Sequence, residues 1–333
     1  MRTRGKGGAR AAHANETMPA GRAGRERGRP STTRRTEPKP LRSLLVPVDL
    51  TPAADRVVGR VARLPLAADA HVTLQHVVPE GLPLRDQRRA TRDAAKVLAD
   101  AARDLRSALP VRVEPLVQVG AADARIAACA RAKGAELIVM GRGQRRGLRD
   151  VLLGSTAERV IRHGRLPVLV VRRPPRAPYR RPALALELDR AAHHVIHALL
   201  RVIPPPRPAV TVIHAFDDPY RRAVYPSLFE DLDAREAELR LSASRALGEL
   251  LADAVARARV PADAVPAWKL HLRYGSPQTV IEKAVEREAT DLLVLGTHTQ
   301  TGLAHMLLGT VAGDVLRAVA CDVLVVPPRA RSG

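Results

Sequence analysis

The chain has 333 residues, enough for two domains of ordinary size, and its 55 Lys and Arg against 34 Asp and Glu give a net charge of +21. Its aromatic residues are only two Phe, one Trp and four Tyr, which argues against a protein that binds single-stranded nucleic acid by stacking bases. Two cysteines exclude a disulfide framework or a cysteine zinc site and favour a reducing, cytoplasmic location. No apolar run is long enough to predict a membrane span.

The first forty residues hold eleven Lys and Arg but three Glu, and therefore carry +8 of the charge. Because this segment is rich in Gly, Pro and Thr and poor in large apolar residues, we predict a disordered basic tail over residues 1–40. The tail suits electrostatic binding of nucleic acid or of anionic lipid. The alternative is a dispensable segment, with Met18 as a second candidate start.

The chain contains an internal repeat. Ala135–Gly141 resembles Thr290–Gly296, and Val168–Val171 resembles Val323–Val326, in both cases 155 residues further on. A constant offset over many positions indicates a tandem duplication. Near the start of each copy the offset is smaller: it is 140 from Asp49 to Asp189 and 138 from His76 to His214. The rise to 155 further along predicts an insertion of about fifteen residues in the second copy, near Phe216–Glu230.

Each copy alternates short apolar runs with segments of helical periodicity. In the first copy the predicted strands are Leu44–Val48, Val72–Val78, Val111–Val119, Leu137–Met140 and Val168–Val171, and the predicted helices are Ala53–Leu64, Thr91–Ala108, Ala122–Lys133 and Ser155–Arg162. Continuous apolar strands separated by helices indicate a parallel sheet that is covered on both faces. We therefore predict an α/β protein with two doubly wound, parallel five-stranded sheets, in domains 41–173 and 183–328 that are joined by a Pro-rich linker at 174–182.

The loop after the fourth strand is rich in glycine. It begins at Gly141 and closes with Gly154 and Ser155 at a predicted helix start, where Ser155 and Glu158 form a capping box. The N-terminus of a helix attracts phosphate, and Asp49 at the end of the first strand can accept a hydrogen bond from a ribose. The loop lacks the GxxxxGK[ST] pattern and is one residue too long for GxGxxG, which disfavours a dinucleotide-binding fold.

These residues resemble the universal stress protein family, whose ATP-binding members carry G-x2-G-x9-G-[ST] after strand four and an Asp after strand one. The resemblance extends from Leu44 to Pro327 and implies the adenine-nucleotide alpha-hydrolase-like type of fold, present twice. It also implies ATP or a related adenine nucleotide as ligand, with no metal except the Mg²⁺ that accompanies ATP. By this resemblance the binding residues are Pro47, Asp49, Val77, Met140, Gly141, Gly154, Ser155 and Thr156 in the first copy, and Asp189, Gly296, Gly309 and Thr310 in the second.

Both copies depart from the family pattern at its second glycine, which is Gln144 in the first copy and Thr299 in the second. If that position requires a positive φ, the substitution weakens the site by about 1 kcal/mol or more, unless Gly143 shifts the turn. The second copy departs further, because Glu187 stands in the place of Pro47 and Ala215 in the place of Val77. We therefore expect weaker nucleotide binding in the second domain.

The resemblance implies a soluble, cytoplasmic stress-response or sensor module whose two domains pack through Val168–Val171 and Val323–Val326, as in the family's homodimer; a homodimer of the whole chain also stays open. The sequence shows no catalytic triad, no pair of catalytic carboxylates and no lysine beside the loops. We therefore predict no enzymatic activity beyond slow ATP hydrolysis. Alternatives are a ligand-free interaction scaffold and a nucleic-acid-associated protein that acts through the tail. An adenylyl-transferring or pyrophosphate-cleaving enzyme is disfavoured, since SGGxDS and HxGH are absent.

Overall fold

A computed structural model describes residues 17–18, 38–51, 54–143, 155–189, 192–216, 232–297 and 310–328. The strands are β1 Thr17–Met18, β2 Leu41–Pro47, β3 Leu66–Val78, β4 Arg112–Val119, β5 Leu137–Gly141, β6 Val168–Val171, β7 Pro182–Ala185, β8 Val210–Phe216, β9 Trp268–Tyr274, β10 Leu292–Gly296 and β11 Asp322–Val326. The helices are α1 Ala54–Val61, α2 Leu84–Ala108, α3 Ala122–Ala132, α4 Ser155–His163, α5 Ala192–Val202, α6 Leu232–Arg257, α7 Pro277–Arg287 and α8 Thr310–Ala318, with a short 3-10 turn at Ala262–Ala264.

The described strands form one sheet in the order β1-β9-β8-β7-β10-β11-β6-β5-β2-β3-β4. Pairing is parallel within β2–β6 and within β7–β11. The two sets meet where β6 and β11 run antiparallel, with Leu169 opposite Leu324. The predicted fold of two parallel five-stranded halves is therefore confirmed, as is the packing of the two last strands against each other.

The sheet is covered by helices on both faces. Leu44 and Leu45 are neighbours on β2, and both are almost completely buried. Leu44 belongs to the apolar cluster under α1, α2, α5 and α6, whereas Leu45 belongs to the cluster under α3, α4, α7 and α8. Because successive strand residues point to opposite faces, burial on both sides requires the unbroken apolar runs seen in the sequence.

Strand β2 begins three residues before its predicted start, at Leu41 rather than Leu44, and two other elements begin six or more residues early. Strand β3 begins at Leu66 rather than Val72. Its first residues include the exposed Asp69, which interrupts the apolar pattern from which the strand was predicted. Helix α2 begins at Leu84 rather than Thr91, directly after Pro83, and its first turns are mostly exposed and charged. Hydrophobic periodicity identifies the buried part of an element, so both starts were placed too late.

Two residues of the predicted disordered tail, Thr17–Met18, pair antiparallel with the edge strand β9. The rest of residues 1–37 lies outside the described residues, and so does the insertion predicted near 216–230, except for Phe216, which ends β8. Pro182 is the first residue of β7 rather than part of the linker. A proline is tolerated at the first position of a strand, where its missing N–H leaves the hydrogen-bond ladder intact.

The duplication extends to the anchoring of each first strand. Glu136 Oε2 accepts hydrogen bonds from the backbone nitrogens of Arg42, at 2.7 Å, and Ser43, at 3.4 Å. Asp291 lies 155 residues after Glu136, and its two carboxylate oxygens accept hydrogen bonds from the backbone nitrogens of Arg180 and Arg181. An acidic residue before the fourth strand of each half therefore fixes the chain that enters the first strand.

Candidate functional site

The first half has a crevice at the carboxyl ends of its strands. From β2 the chain adds β3 and β4 on one side, and it then returns to add β5 and β6 on the other. Ligands of doubly wound sheets bind where the strand order reverses in this way, here between β2 and β5. Pro47 ends β2, Met140 and Gly141 end β5, and Val77 lies one residue before the end of β3. The structure therefore brings these four predicted residues to one edge of the sheet.

Asp49 lies just beyond β2, and its carboxylate is held in place by a turn. Oδ1 accepts hydrogen bonds from the backbone nitrogen of Thr51 at 3.2 Å and from its hydroxyl at 2.7 Å. Leu50 between them has φ 57°, a conformation that costs a residue with a β-carbon roughly 1 kcal/mol or more. The turn thus fixes an exposed acceptor at the mouth of the crevice.

A histidine that was not predicted as a site residue supports this strand end. His76 Nδ1 lies 2.8 Å from the carbonyl oxygen of Val48. Because a carbonyl only accepts hydrogen bonds, this contact assigns the proton to Nδ1. His214 makes the corresponding contact in the second half, 2.9 Å from the carbonyl of Leu186. The recurrence of a histidine at the same place in both copies was the signal for this role.

Gly141, the last residue of β5, and Gly143, two residues beyond it, have different backbone requirements. Gly143 has φ 76°, in the region that favours glycine. Gly141 has no such φ, and a β-carbon placed on it would lie 3.6 Å from Cγ2 of Val57, an ordinary contact. Gly143 therefore has a backbone conformation that glycine adopts most easily, one residue before the departure from the family pattern. Gln144 and Gly154 themselves lie outside the described residues.

Helix α4 begins at Ser155, as predicted, and its N-terminus carries the partial positive charge of unpaired backbone N–H groups. Thr156, in the first turn, is half-buried. The helix is tied to α3 by an ion pair in which Arg159 Nε lies 3.3 Å from Asp123 Oδ2. The sequence thus places a fixed anion-attracting helix end after the glycine loop, whereas the side chain of Ser155 lies outside the described residues.

The second half has the same strand ends as the first, but its aspartate, Asp189, has a different hydrogen-bond partner from Asp49. Asp189 Oδ1 accepts a hydrogen bond from the backbone nitrogen of Ala192 at 3.1 Å, so this carboxylate caps helix α5. Gly296 ends β10 and Thr310 begins α8, while Gly309 and Thr299 lie outside the described residues. Asp49 and Asp189 thus both accept hydrogen bonds from the chain that follows them, but Asp49 is exposed whereas Asp189 is half-buried.

The described residues contain no cluster of His, Cys, Asp or Glu that could hold a metal ion. Within the same ranges, no helix has both the length and the apolar character needed to cross a membrane. The buried thiols are poorly suited to chemistry, because burial raises the pKa of Cys129 and raises that of Cys321 to about 12.

Comparison with known proteins agrees with this architecture. The model of the universal stress protein family matches twice, at residues 40–172 and 179–327. A universal stress protein of Mycolicibacterium smegmatis is 28% identical over 310 residues, which cover 86% of this chain and 97% of that protein. A universal stress protein structure from Archaeoglobus fulgidus has the same fold, with a TM-score of 0.62, 17% identity, and coverage of 86% of this chain and 98% of that one.

A structure of a functionally unknown protein from Pseudomonas aeruginosa also shares the fold, with a TM-score of 0.57, 20% identity, and coverage of 86% of this chain and 93% of that one. The double family match covers both parallel half-sheets and the strand pair that joins them. Each half has the five strands of one domain, and the relative from Mycolicibacterium smegmatis aligns across both. The chain therefore belongs to the universal stress protein family and contains two copies of its domain.

Proposed function

We propose that the protein binds ATP or a related adenine nucleotide in the crevice between β2 and β5 and acts as a cytoplasmic stress-response or sensor module. The observation that carries the proposal is the meeting of Pro47, Asp49, Met140 and Gly141 at the point where the strand order reverses. Asp49 is an exposed, oriented acceptor for a ribose. The glycine loop leads to the N-terminus of α4, which favours phosphate.

The first half is the stronger site in this proposal. Gly154, Ser155 and Thr156 would hold the phosphates there, with Mg²⁺ accompanying the nucleotide. In the second half, Gly296, Gly309 and Thr310 would do the same. There, however, Asp189 is half-buried, and Glu187 stands in the place of Pro47. We therefore expect the second half to bind more weakly, and we expect at most slow ATP hydrolysis from either.

The direct test is isothermal titration of the full chain with ATP and Mg²⁺. Asp49→Ala should weaken binding roughly tenfold, the effect of losing one oriented charged hydrogen bond. Asp189→Ala should change the affinity much less. Asp69→Ala is a matched control, because Asp69 is an exposed aspartate near the start of β3 rather than its carboxyl end. Absence of ATP binding to the wild-type chain would contradict the proposal and favour a ligand-free scaffold.

The nucleic-acid alternative is tested by deleting residues 1–37, which spares Lys39 because its carbonyl accepts a hydrogen bond from Arg201. Binding through the tail predicts that the deletion lowers both the affinity for DNA and its dependence on salt concentration. An unchanged salt dependence would eliminate the tail as the binding element. Phosphate release from ATP, measured on the same preparations, tests the expected slow hydrolysis.

A further inference from the structure

Two glutamine side chains lie beside the crevice of the first half, on neighbouring strands. Gln75 of β3 is opposite Pro47 of β2 in the sheet register, and Gln118 of β4 is opposite Val77 of β3. Gln75 and Val77 are two residues apart on one strand, so their side chains point to the same face of the sheet. Each glutamine is therefore the neighbour of a predicted site residue.

The crevice uses the same face of the sheet. Gln75 Nε2 donates to the carbonyl oxygen of Arg125 in α3 at 3.3 Å, so the side chain of Gln75 points toward α3. Met140, at the end of β5, belongs to the apolar cluster under α3 and α4. The helix end that favours phosphate, the N-terminus of α4, covers this face too. The two glutamines and the phosphate-attracting helix end thus lie on one side of the sheet.

The partners of the Gln75 amide determine its orientation. Because the Arg125 carbonyl only accepts hydrogen bonds, the amide nitrogen of Gln75 must face it, and the amide oxygen must point away. The same Nε2 also donates to Gln118 Oε1 at 2.8 Å. This second hydrogen bond turns the oxygen of Gln118 toward Gln75 and its nitrogen away.

The amide pair leaves one acceptor and one donor unused. Gln75 is 0% exposed, and its Oε1 is buried with no hydrogen-bond partner in the described ranges. Gln118 is half-buried, and its Nε2 has no acceptor in that same part of the chain. A buried polar atom without a partner is rare in native proteins, because it has lost its hydrogen bonds to water. Beside a ligand crevice, such an acceptor indicates a ligand that supplies the donor.

The second half does not have this pair. Ile213 corresponds to Gln75 at the spacing of 138 residues that relates β3 to β8, and Arg273 corresponds to Gln118 at the spacing of 155. Ile213 is buried, so the fold accepts an aliphatic side chain at this position. Folding alone therefore does not require the Gln75 amide.

We propose that Gln75 and Gln118 recognise the base of the nucleotide and select adenine, an inference that rests on the proposed function of this crevice. The 6-amino group of adenine donates to Gln75 Oε1, and an adjacent ring nitrogen accepts from Gln118 Nε2. This is the donor and acceptor pattern with which a glutamine amide identifies adenine in DNA. Guanine and hypoxanthine carry an oxygen in place of the amino group, which would meet Gln75 Oε1 acceptor to acceptor.

The test is calorimetric titration of the full chain with ATP and with inosine triphosphate, each with Mg²⁺. Inosine triphosphate has an oxygen in place of the 6-amino group and a proton on the neighbouring ring nitrogen. We expect the stronger site of the wild-type chain to bind ATP roughly tenfold more tightly than inosine triphosphate, because the oxygen leaves Gln75 Oε1 unpaired. Gln75→Ile should bring this ratio to within about twofold of one, chiefly by weakening ATP binding.

The chain offers matched variants for this measurement. Gln75→Ile introduces the side chain that the second half already has at this position. Thr73→Val is the control, because Thr73 is a buried polar residue on the same strand and face, two residues further from the crevice. It should leave the ratio of the two affinities unchanged, whereas Gln118→Leu should lower the ratio. Chemical denaturation of each variant separates a loss of folding from a loss of base preference.

Three outcomes would contradict different parts of this inference. Equal affinities of the wild-type chain for ATP and inosine triphosphate would overturn the recognition of the base and leave the proposed function intact. A preference for ATP that persists in the folded Gln75→Ile variant would also overturn it, since the amide would then be purely structural. A wild-type chain that binds neither nucleotide would contradict the proposed function, and this inference with it.

Discussion

Arg60 Nε lies 3.1 Å from Asp322 Oδ2, although α1 of the first half and β11 of the second lie at opposite ends of the chain. Their side chains are 6% and 1% exposed. The same carboxylate accepts hydrogen bonds from the hydroxyl of Tyr179 at 2.8 Å and from the backbone nitrogens of Arg172 and Arg173. One buried carboxylate therefore joins both halves to the linker.

Asp322→Ala should be strongly destabilising. It leaves the buried guanidinium of Arg60 without its carboxylate, a change that costs about 3–5 kcal/mol in comparable buried pairs. Chemical denaturation followed by circular dichroism measures the free energy of unfolding. The matched control is Asp69→Ala, because Asp69 pairs with Arg42 at the same 3.1 Å but both side chains are more than 60% exposed.

The control should cost less than about 1 kcal/mol, since exposed ion pairs contribute little. Equal costs for the two alanine variants would show that burial does not determine the strength of the Asp322 network. The shape of the unfolding curve gives a second test of whether the Asp322 network joins the two halves. If the network joins the halves, Asp322→Ala should separate one cooperative unfolding step into two.

Tyr179→Phe removes one donor of the network and keeps the ring, whose centroid lies 4.0 Å from Cζ of Arg60. We expect a loss of about 1.5–3 kcal/mol at neutral pH, the range for a hydrogen bond to a charged group. Tyr179→Ala should lose more, because it also removes the cation–π contact and the buried ring. Denaturation of both variants beside the wild type measures the difference.

The same tyrosine predicts a dependence on alkaline pH. Burial, together with the nearby Asp322, raises the pKa of Tyr179 well above its ordinary value of 10.0. Its folded-state pKa is thus above the unfolded one, so its contribution to stability is fully present below the unfolded pKa and is lost as the pH rises through the range above it. The difference in unfolding free energy between wild type and Tyr179→Phe should therefore shrink as the pH rises above about 10.

Much of the fold could be predicted from the sequence because its strands are buried on both faces. Val323–Val326 and Leu292–Leu295 are continuous apolar runs, and all of these residues are nearly inaccessible in the structure. The start of β3 could not be predicted in this way, because Asp69 is exposed and interrupts the pattern. The network of Asp322 was also missed, since its donors come from distant segments and no local pattern relates them.

The candidate site was predictable for a different reason. Pro47, Met140 and Gly141 lie at strand ends, and the carboxyl ends of parallel strands share one edge of the sheet, so strand assignment alone brought these residues together. The difference between Asp49 and Asp189 was not predictable. Both follow a first strand, but a two-residue shorter connection in the second copy places Ala192 where its N–H reaches the carboxylate.

Cys321 should be inert to thiol reagents in the folded protein. Burial raises its pKa from 9.0 to about 12, so almost no thiolate is present at neutral pH. Reaction with a chromogenic disulfide should therefore follow unfolding, and in Asp322→Ala it should be faster in proportion to the larger unfolded population. Cys321→Ala leaves only Cys129 and serves to assign the signal. Fast labelling of the native wild-type chain at this thiol would contradict the prediction.

Gly141 and Gly143 provide a test that separates ligand contact from backbone strain. Gly143→Ala should lower the free energy of unfolding by about 1 kcal/mol, because φ 76° is unfavourable for a residue with a β-carbon. Gly141→Ala should leave stability within about 0.5 kcal/mol, since its β-carbon meets only an ordinary contact with Val57. If the nucleotide lies against the end of β5, however, Gly141→Ala should weaken ATP binding at least fivefold in calorimetry. Unchanged ATP affinity in Gly141→Ala would place the nucleotide away from this strand end, whatever the stability of the variant.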